Sequence, residues 1–275
     1  ADGLEVWVQE RVHTMHNYPG HSVFPGGGVD PRDFPPRSWD SGELWAGKSV
    51  ISLARRMGVT KYKAHALVFA AARELFEEAG TLLAGYEDGS LVGNTVPFQT
   101  ERHQLENHEL SFSDFMDQHE LVLRSDLLRP WANWVTPKEQ PIRYDTAFFV
   151  ANMPEGQQTL ADTREATSTG WFRPSTLLDG WRYRKISLMP PTWAQLKLLD
   201  TFRTVDEVLD FSSSLSVDPV LEEPVDEPYM AEYYLMETKM FGTPRRHFAP
   251  GMKFAVDPAD LPEHPFKSLP GSYLQ

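Results

Sequence analysis

The pattern of apolar and polar positions predicts several strands in the first two thirds of the chain. Residues 3–12 carry apolar side chains at alternate positions, which is typical of a strand, and residues 23–24 predict a shorter one. Residues 128–137 and 143–154 predict two paired strands, the second rich in aromatic side chains. Residues 168–178 are expected to form a strand followed by a turn.

Helical periodicity and capping residues predict helices between and after these strands. Residues 48–58 are expected to form a short helix, and residues 190–202 a longer one that begins at two prolines. The clearest helix covers residues 61–79, with Thr60 as its N-cap and Gly80 as its C′ residue.

The remaining segments have weaker patterns. The prolines of residues 31–47 predict a loop, and residues 85–108 are polar with no clear period. A short helix should follow, capped by Ser111 or by Ser113. Residues 217–238 contain seven acidic and no basic side chains, which predicts a solvated linker or an extension that wraps the surface. Strands and helices in this order predict an α/β fold, with a sheet covered by helices on both faces.

Composition and charge limit the classes of partner. The 275 residues carry a formal net charge of −13, which disfavours nucleic acid as the main ligand because phosphate backbones would be repelled. The sequence contains no cysteine, no apolar run of about 20 residues and no visible signal peptide. We therefore expect a cytoplasmic protein that binds neither a membrane nor nucleic acid.

The end of the predicted helix at 61–79 carries an unusual cluster of acids. Glu74, Glu77 and Glu78 project within an arc of about 100° at the helix end that already carries partial negative charge. Such a cluster is unfavourable unless a cation compensates it, and Mg²⁺ prefers oxygen ligands of this kind. A solvated acidic surface is the other interpretation of the helix taken alone.

Two short motifs resemble the two halves of the Nudix hydrolase signature, G-x5-E-x7-R-E-U-x-E-E-x-G-U, where U is a bulky apolar residue. The first is "FPGGGVD", which contains Gly27, and the second is "RELFEEAG". The residues that match the second half are Arg73, Glu74, Leu75, Glu77, Glu78 and Gly80. Thr81 departs from the final apolar position. Gly27 and Arg73 are 73 − 27 = 46 positions apart, so about 32 residues are inserted inside the signature.

A branch of the family that includes coenzyme A diphosphatases carries an insertion of this kind. The resemblance implies a Nudix-type α/β/α sandwich with a mixed β-sheet. We expect a Nudix hydrolase domain at 1–212, with an insertion at about 31–62, followed by an acidic, proline-rich extension at 213–275.

The resemblance also implies a Mg²⁺ or Mn²⁺ cofactor bound by Glu74, Glu77 and Glu78. Glu77 and Glu78 are predicted to be catalytic, together with Arg73, which is placed to orient Glu77 four residues later. A further acid usually comes from a later loop as a metal ligand or general base, and Glu165 is the candidate.

Other predicted positions concern the first half of the signature and the substrate. Counting from Gly27 places Asp33 where the family has its first acid, with Asp30 as the competitor. The substrate-binding residues implied by the resemblance are Arg11, Gly26, Gly27, Arg143 and Tyr144.

The expected activity is hydrolysis of a nucleoside diphosphate linked to another group, with coenzyme A or an acyl-CoA as the leading substrate. NADH, ADP-ribose or a dinucleoside polyphosphate are alternative substrates. A catalytically silent nucleotide-binding module is an alternative of another class. The expected partner is a small molecule, and a homodimer is left open.

Overall fold

The computed structural model describes residues 3–12, 19–35, 44–136, 138, 142–160, 166–215, 217–220 and 228–234. Within these ranges no helix is both long enough and apolar enough to cross a membrane.

The described residues contain nine strands, which form three small sheets. They are β1 (Val6–Arg11), β2 (Ser22–Val23), β3 (Trp45–Ala46), β4 (Ala84–Gly85), β5 (Val122–Arg124), β6 (Leu128–Val135), β7 (Asp145–Ala151), β8 (Ala166–Phe172) and β9 (Pro219–Val220). The sheet orders are β2-β1-β8, β3-β5-β4 and β7-β6-β9. The first sheet is antiparallel, whereas the other two each contain one parallel pair.

Helices pack around these sheets. They are α1 (Val50–Met57), α2 (Lys61–Ala79), α3 (Gln99–Glu106), α4 (Phe112–Gln118), α5 (Pro174–Arg182), α6 (Pro190–Leu199) and α7 (Val205–Ser214). Three short 3₁₀ turns occur at Pro31–Asp33, Val96–Phe98 and Pro228–Met230. The arrangement confirms an α/β fold with mixed sheets.

The position of α2 in the fold determines where the acids lie. The Thr60 hydroxyl accepts a hydrogen bond from the Lys63 amide at 3.2 Å, and Gly80 ends the helix in the left-handed region at φ 67°. Apolar side chains of α2, including Phe69 and Phe76, lie in the largest hydrophobic core. The helix was therefore predicted correctly at both ends, and its acidic last turns pack against the core.

Several predicted elements are confirmed, and others are corrected. β6 and β7 pair as antiparallel strands, and Ser111, not Ser113, caps α4. Within the polar segment 85–108 the chain forms α3, which no periodicity indicated. The turn expected after β8 is the helix α5. Proline suits the first turn of a helix, and buried apolar side chains three to four positions apart then hold α5 against the core.

The described part of the acidic C-terminal segment wraps the surface and is not a free linker. Met230, Tyr233 and Tyr234 are buried in a second core with α5 and α6. β9 adds a short parallel strand beside β6. The boundary at 213 stays a prediction.

Candidate active site

A glycine-rich loop lies directly against the last two turns of α2. The Gly26 amide donates a hydrogen bond to Glu78 Oε2 at 2.7 Å, and the Gly28 carbonyl accepts one from Arg73 Nη2 at 2.8 Å. A Cβ atom at Gly27 would lie 2.5 Å from Glu74 Oε1, closer than real contacts allow. A side chain at Gly27 would therefore displace the Glu74 carboxylate, and glycine lets the loop and the acidic helix end meet without this shift.

Arg73 is the central cation of this site and is only 6% exposed. Its guanidinium contacts Glu74 at 2.7 Å and Glu77 at 3.3 Å, in addition to Asp33. Burial alone would lower the pKa of Arg73, but the hydrogen bonds to Asp33 and the charge of Glu74 raise it above its ordinary value. Arg73 therefore stays charged and holds two of the three glutamates of the cluster.

The contacts distinguish the two candidates for the first acid of the signature. Asp33 is 2% exposed and accepts from Arg73 Nε at 3.1 Å and from Arg73 Nη2 at 3.0 Å. Asp30 instead binds Arg32 at 2.8 Å, which lowers the pKa of its carboxyl. Asp33 thus occupies the position opposite Arg73, although the insertion separates the two in sequence.

The glutamates themselves are unusually buried for acidic side chains. Glu77 and Glu78 are 7% and 4% exposed. Burial raises the pKa of Glu77 to about 7, because the loss of hydration disfavours the carboxylate more than Arg73 favours it. Compensating positive charge at this helix end would therefore stabilise the ionised form.

The chemistry of these donors fits a hard divalent cation. Within the described ranges, no three His, Asp or Glu side chains form a ready-made metal cluster. Arg73 and the Gly26 amide contact the glutamates instead. Mg²⁺ seldom needs such a cage, because it is commonly bound by one or two carboxylates with water and substrate phosphates. The carboxylates of Glu74, Glu77 and Glu78 are oxygen donors of the kind that this mode of binding uses.

Arg102 on α3 is a residue of the site that the sequence analysis missed. Its side chain has no solvent exposure, and its Nη1 donates to the Glu77 carbonyl at 2.6 Å. Its Nε donates to Gln99 at 2.9 Å. A cation at a helix C-terminus offsets the partial negative charge there, so Arg102 stabilises the end of α2. The sequence offered no signal for it, because α3 itself was not predicted.

A large cleft of about 1660 Å³ adjoins the acidic helix end. The predicted site residues that line it are Arg11, Gly26, Gly27, Arg73, Glu74, Glu77, Glu78 and Tyr144. Aromatic side chains, among them Trp134, Phe149 and Trp171, form other parts of the cleft wall. Most of the predicted site residues therefore surround one space.

Among the described residues predicted for the site, Arg143 is not part of that grouping. Arg143 is exposed, does not line the cleft, and donates from Nε to the Thr136 carbonyl at 3.0 Å. Glu165 lies outside the described residues, so its role stays a prediction.

The chain matches a family model described as the NUDT19 Nudix domain over residues 54–199, just over half of its length. The match begins after Asp33, so the first half of the signature rests on the contacts described above.

Relatives with curated names give a consistent comparison. The chain is 24% identical over 245 residues to the Xenopus laevis protein named acyl-coenzyme A diphosphatase NUDT19, covering 78% of this chain and 64% of that protein. It is 26% identical over 247 residues to the Homo sapiens protein of the same name, covering 77% and 64%. The chain thus spans less than two thirds of the length of these relatives.

A solved structure supports the same fold. The crystal structure of a NUDIX hydrolase from Alicyclobacillus acidocaldarius aligns with a TM-score of 0.62 and 27% identity, covering 79% of this chain and 91% of that one.

Proposed function

We propose, on the premise that this chain belongs to the Nudix family, that it hydrolyses the diphosphate of a coenzyme A-type substrate with the help of a divalent cation. The observation that carries the proposal is the meeting of the glycine loop with the acidic end of α2. Gly26 contacts Glu78, and Gly28 contacts Arg73, at the edge of a cleft large enough for a nucleotide.

The side chains of the site have separate roles in this proposal. Glu74, Glu77 and Glu78 would hold Mg²⁺ or Mn²⁺, since Nudix hydrolases generally use divalent metals. When bound, the cation supplies positive charge to the diphosphate and makes a water molecule more acidic. Arg73 and the Gly26 amide keep the carboxylates in fixed directions, which reduces the reorganisation needed in the reaction.

The attacking water must lose a proton, which requires a carboxylate of the chain within its reach to act as a base. Glu77, Glu78 and Glu165 are the proposed catalytic acids. Burial beside the cleft keeps the first two out of bulk water, where a carboxylate is a weak base.

The substrate class follows from the relatives' names and from the wall of the cleft. The frog and human relatives are named acyl-coenzyme A diphosphatases. Apolar lining residues such as Trp134, Phe149 and Met153 would accommodate an acyl or pantetheine chain, whereas Arg11 would contact a phosphate. NADH, ADP-ribose or a dinucleoside polyphosphate remain alternative substrates.

A direct test is incubation with Mg²⁺ or Mn²⁺ and a panel of coenzyme A, acetyl-CoA, NADH and ADP-ribose, with the products separated by chromatography. We expect coenzyme A or its thioester to give the highest kcat/KM, releasing a 4′-phosphopantetheine product. Micromolar binding of these nucleotides without turnover of any diphosphate would instead support a silent binding module.

Further expectations belong to the same proposal. We propose that residues 213–275 are an extension added to the hydrolase domain. We also propose that the protein is cytoplasmic and forms a homodimer. Light scattering with size-exclusion chromatography would test the homodimer directly.

A further inference from the structure

Gln9, in the middle of β1, is buried in a way that the described residues do not explain. The side chain has no solvent exposure, and neither its amide nitrogen nor its amide oxygen has a hydrogen-bond partner among the described residues. A buried amide without partners costs about 1–3 kcal/mol per unsatisfied group. A side chain retained under this penalty calls for a partner from outside the chain.

Gln157 provides the contrast within the same molecule. It is 8% exposed, and its amide oxygen accepts from the Leu82 amide at 2.9 Å. Its amide nitrogen donates to the Leu82 carbonyl at 2.9 Å and to the Val92 carbonyl at 2.6 Å. A glutamine buried for structural reasons is thus fully satisfied in this protein, and Gln9 is not.

The location of Gln9 indicates where the missing partner would come from. Side chains alternate along β1, so Val8 lies in a hydrophobic core, whereas Trp7 and Arg11 line the cleft. Gln9 follows Trp7 by two positions and so points to the same side of the sheet, buried behind the cleft wall rather than lining it. The register is irregular between Glu10 and Arg11. Arg11 Nε likewise has no hydrogen-bond partner within the described part of the chain.

An aromatic surface adjoins this face. Trp171 on β8 pairs directly with Trp7, lines the cleft and is 40% exposed. Its Nε1 donates to the Thr159 hydroxyl at 3.1 Å, which fixes the orientation of the ring. An exposed indole held in this way can stack on the flat face of a nucleobase.

We propose that Gln9 recognises the polar edge of the substrate's nucleobase, with Trp171 as the stacking surface and Arg11 beside a phosphate. A glutamine amide offers one donor next to one acceptor, which matches the amino group and ring nitrogen of an adenine edge. The inference rests on the proposed function only in taking the ligand to be a nucleotide. Because Gln9 is fully buried and does not line the cleft, its recognition of a base requires side chains on this face to change rotamer, as is common on binding.

The first measurement is the stability of Gln9→Met and of the matched control Gln157→Met. Removing an unpaired amide should leave the midpoint of urea denaturation unchanged or raise it, whereas Gln157→Met should lower it. A loss of stability in Gln9→Met equal to that of the control would overturn the proposal, because Gln9 would then have a structural partner.

The second measurement is calorimetric binding, with Mg²⁺, of adenosine 5′-(α,β-methylene)diphosphate and of methylenediphosphonate, which lacks the nucleoside. Gln9→Met should weaken binding of the nucleotide by between about 5-fold and about 150-fold, the range of a bidentate base contact, and leave that of methylenediphosphonate unchanged. Unchanged nucleotide affinity, or equal losses for both probes, would refute recognition of the base.

These probes are not hydrolysed, so the test is separate from turnover. Selective weakening by Gln9→Met in a protein that cleaves no diphosphate would sustain this inference and remove the proposed activity. Turnover of coenzyme A together with unchanged nucleotide binding in Gln9→Met would support the proposed activity and refute recognition of the base by Gln9.

Discussion

Arg73 and Asp33, 40 positions apart in the sequence, form a buried bidentate ion pair, with Nε–Oδ1 at 3.1 Å and Nη2–Oδ2 at 3.0 Å. Along the sequence, the insertion separates the loop of Gly27 from α2. The pair joins the two halves, so the acids at the end of α2 meet the glycine loop despite the interruption.

Asp33→Asn should lower the free energy of unfolding by about 3 kcal/mol, because a buried ion pair loses one charged partner. Urea denaturation at pH 7 measures the change. Asp30→Asn is the matched control, since the Asp30–Arg32 pair is more exposed and should contribute less than about 1 kcal/mol. Equal effects of the two substitutions would show that Asp33 does not hold the site together.

Gly27→Ala should reduce turnover at least about tenfold, because the new methyl group would press on Glu74 from 2.5 Å and displace the loop or the carboxylate. Gly28→Ala is the control, since a Cβ there meets nothing within 4 Å. The comparison requires kcat/KM of both variants at the same metal concentration. A Gly28→Ala protein impaired as strongly as Gly27→Ala would contradict the assigned contact.

Glu78→Gln should reduce turnover by at least about 100-fold while changing stability by less than about 1 kcal/mol. The amide oxygen of glutamine can still accept the hydrogen bond from the Gly26 amide, so the loop keeps its anchor. Activity and thermal unfolding are measured on the same preparation. Glu87→Gln, which changes an exposed acid away from the cleft, should behave as the unaltered protein. Full activity of Glu78→Gln would remove it from the proposed site.

The burial of His65 should make the free energy of unfolding depend on pH. Its ring stacks on Trp45 and on Phe69, and burial lowers its pKa from 6.5 to about 4. The unfolded chain therefore binds a proton between pH 6.5 and 4 that the folded chain does not, so the free energy of unfolding falls as the pH decreases through this window. At pH 5 the loss is about 2 kcal/mol relative to pH 7.

The measurement is urea denaturation of the unaltered protein and of His65→Phe at pH 7 and pH 5. The substitution should remove most of this residue's share of the pH dependence, although it also loses the contact of the ring with the Asp33 carbonyl. An identical difference between the two pH values in both proteins would contradict the assignment.

Local signals in the sequence were sufficient for α2 and for the pairing of β6 with β7. The cap at Thr60, the helical period and Gly80 all act within a few residues, and counting from Gly27 led to Asp33. Arg102 was not predicted because its contact with the Glu77 carbonyl depends on how α3 packs against α2. Such packing leaves no periodic pattern in the sequence.

Gln9 illustrates a different limit. Alternation along a strand assigns polar positions to solvent, and it does not distinguish a polar side chain that faces solvent from one that the fold buries. Only the burial of the amide and its lack of described partners reveal the difference.

The last prediction concerns the C-terminal segment at 228–234. Tyr233 is 3% exposed, stacks on Trp181 with ring centroids 5.4 Å apart, and donates its hydroxyl to the Leu188 carbonyl at 3.0 Å. Tyr233→Ala should cost about 3–5 kcal/mol, because a buried aromatic ring leaves a cavity, whereas Tyr233→Phe loses only the hydrogen bond and should cost about 1 kcal/mol.

Denaturation followed by tryptophan fluorescence measures both effects, because Trp181 and Trp193 pack against Tyr233. Glu232 adds an ion pair with Arg182 and another with Lys197, so the segment is held by charge as well as by the ring. If Tyr233→Ala unfolds at the same urea concentration as Tyr233→Phe, the segment contributes no packing to the fold. The predicted difference would instead make the described part of the extension an integral part of the folded domain.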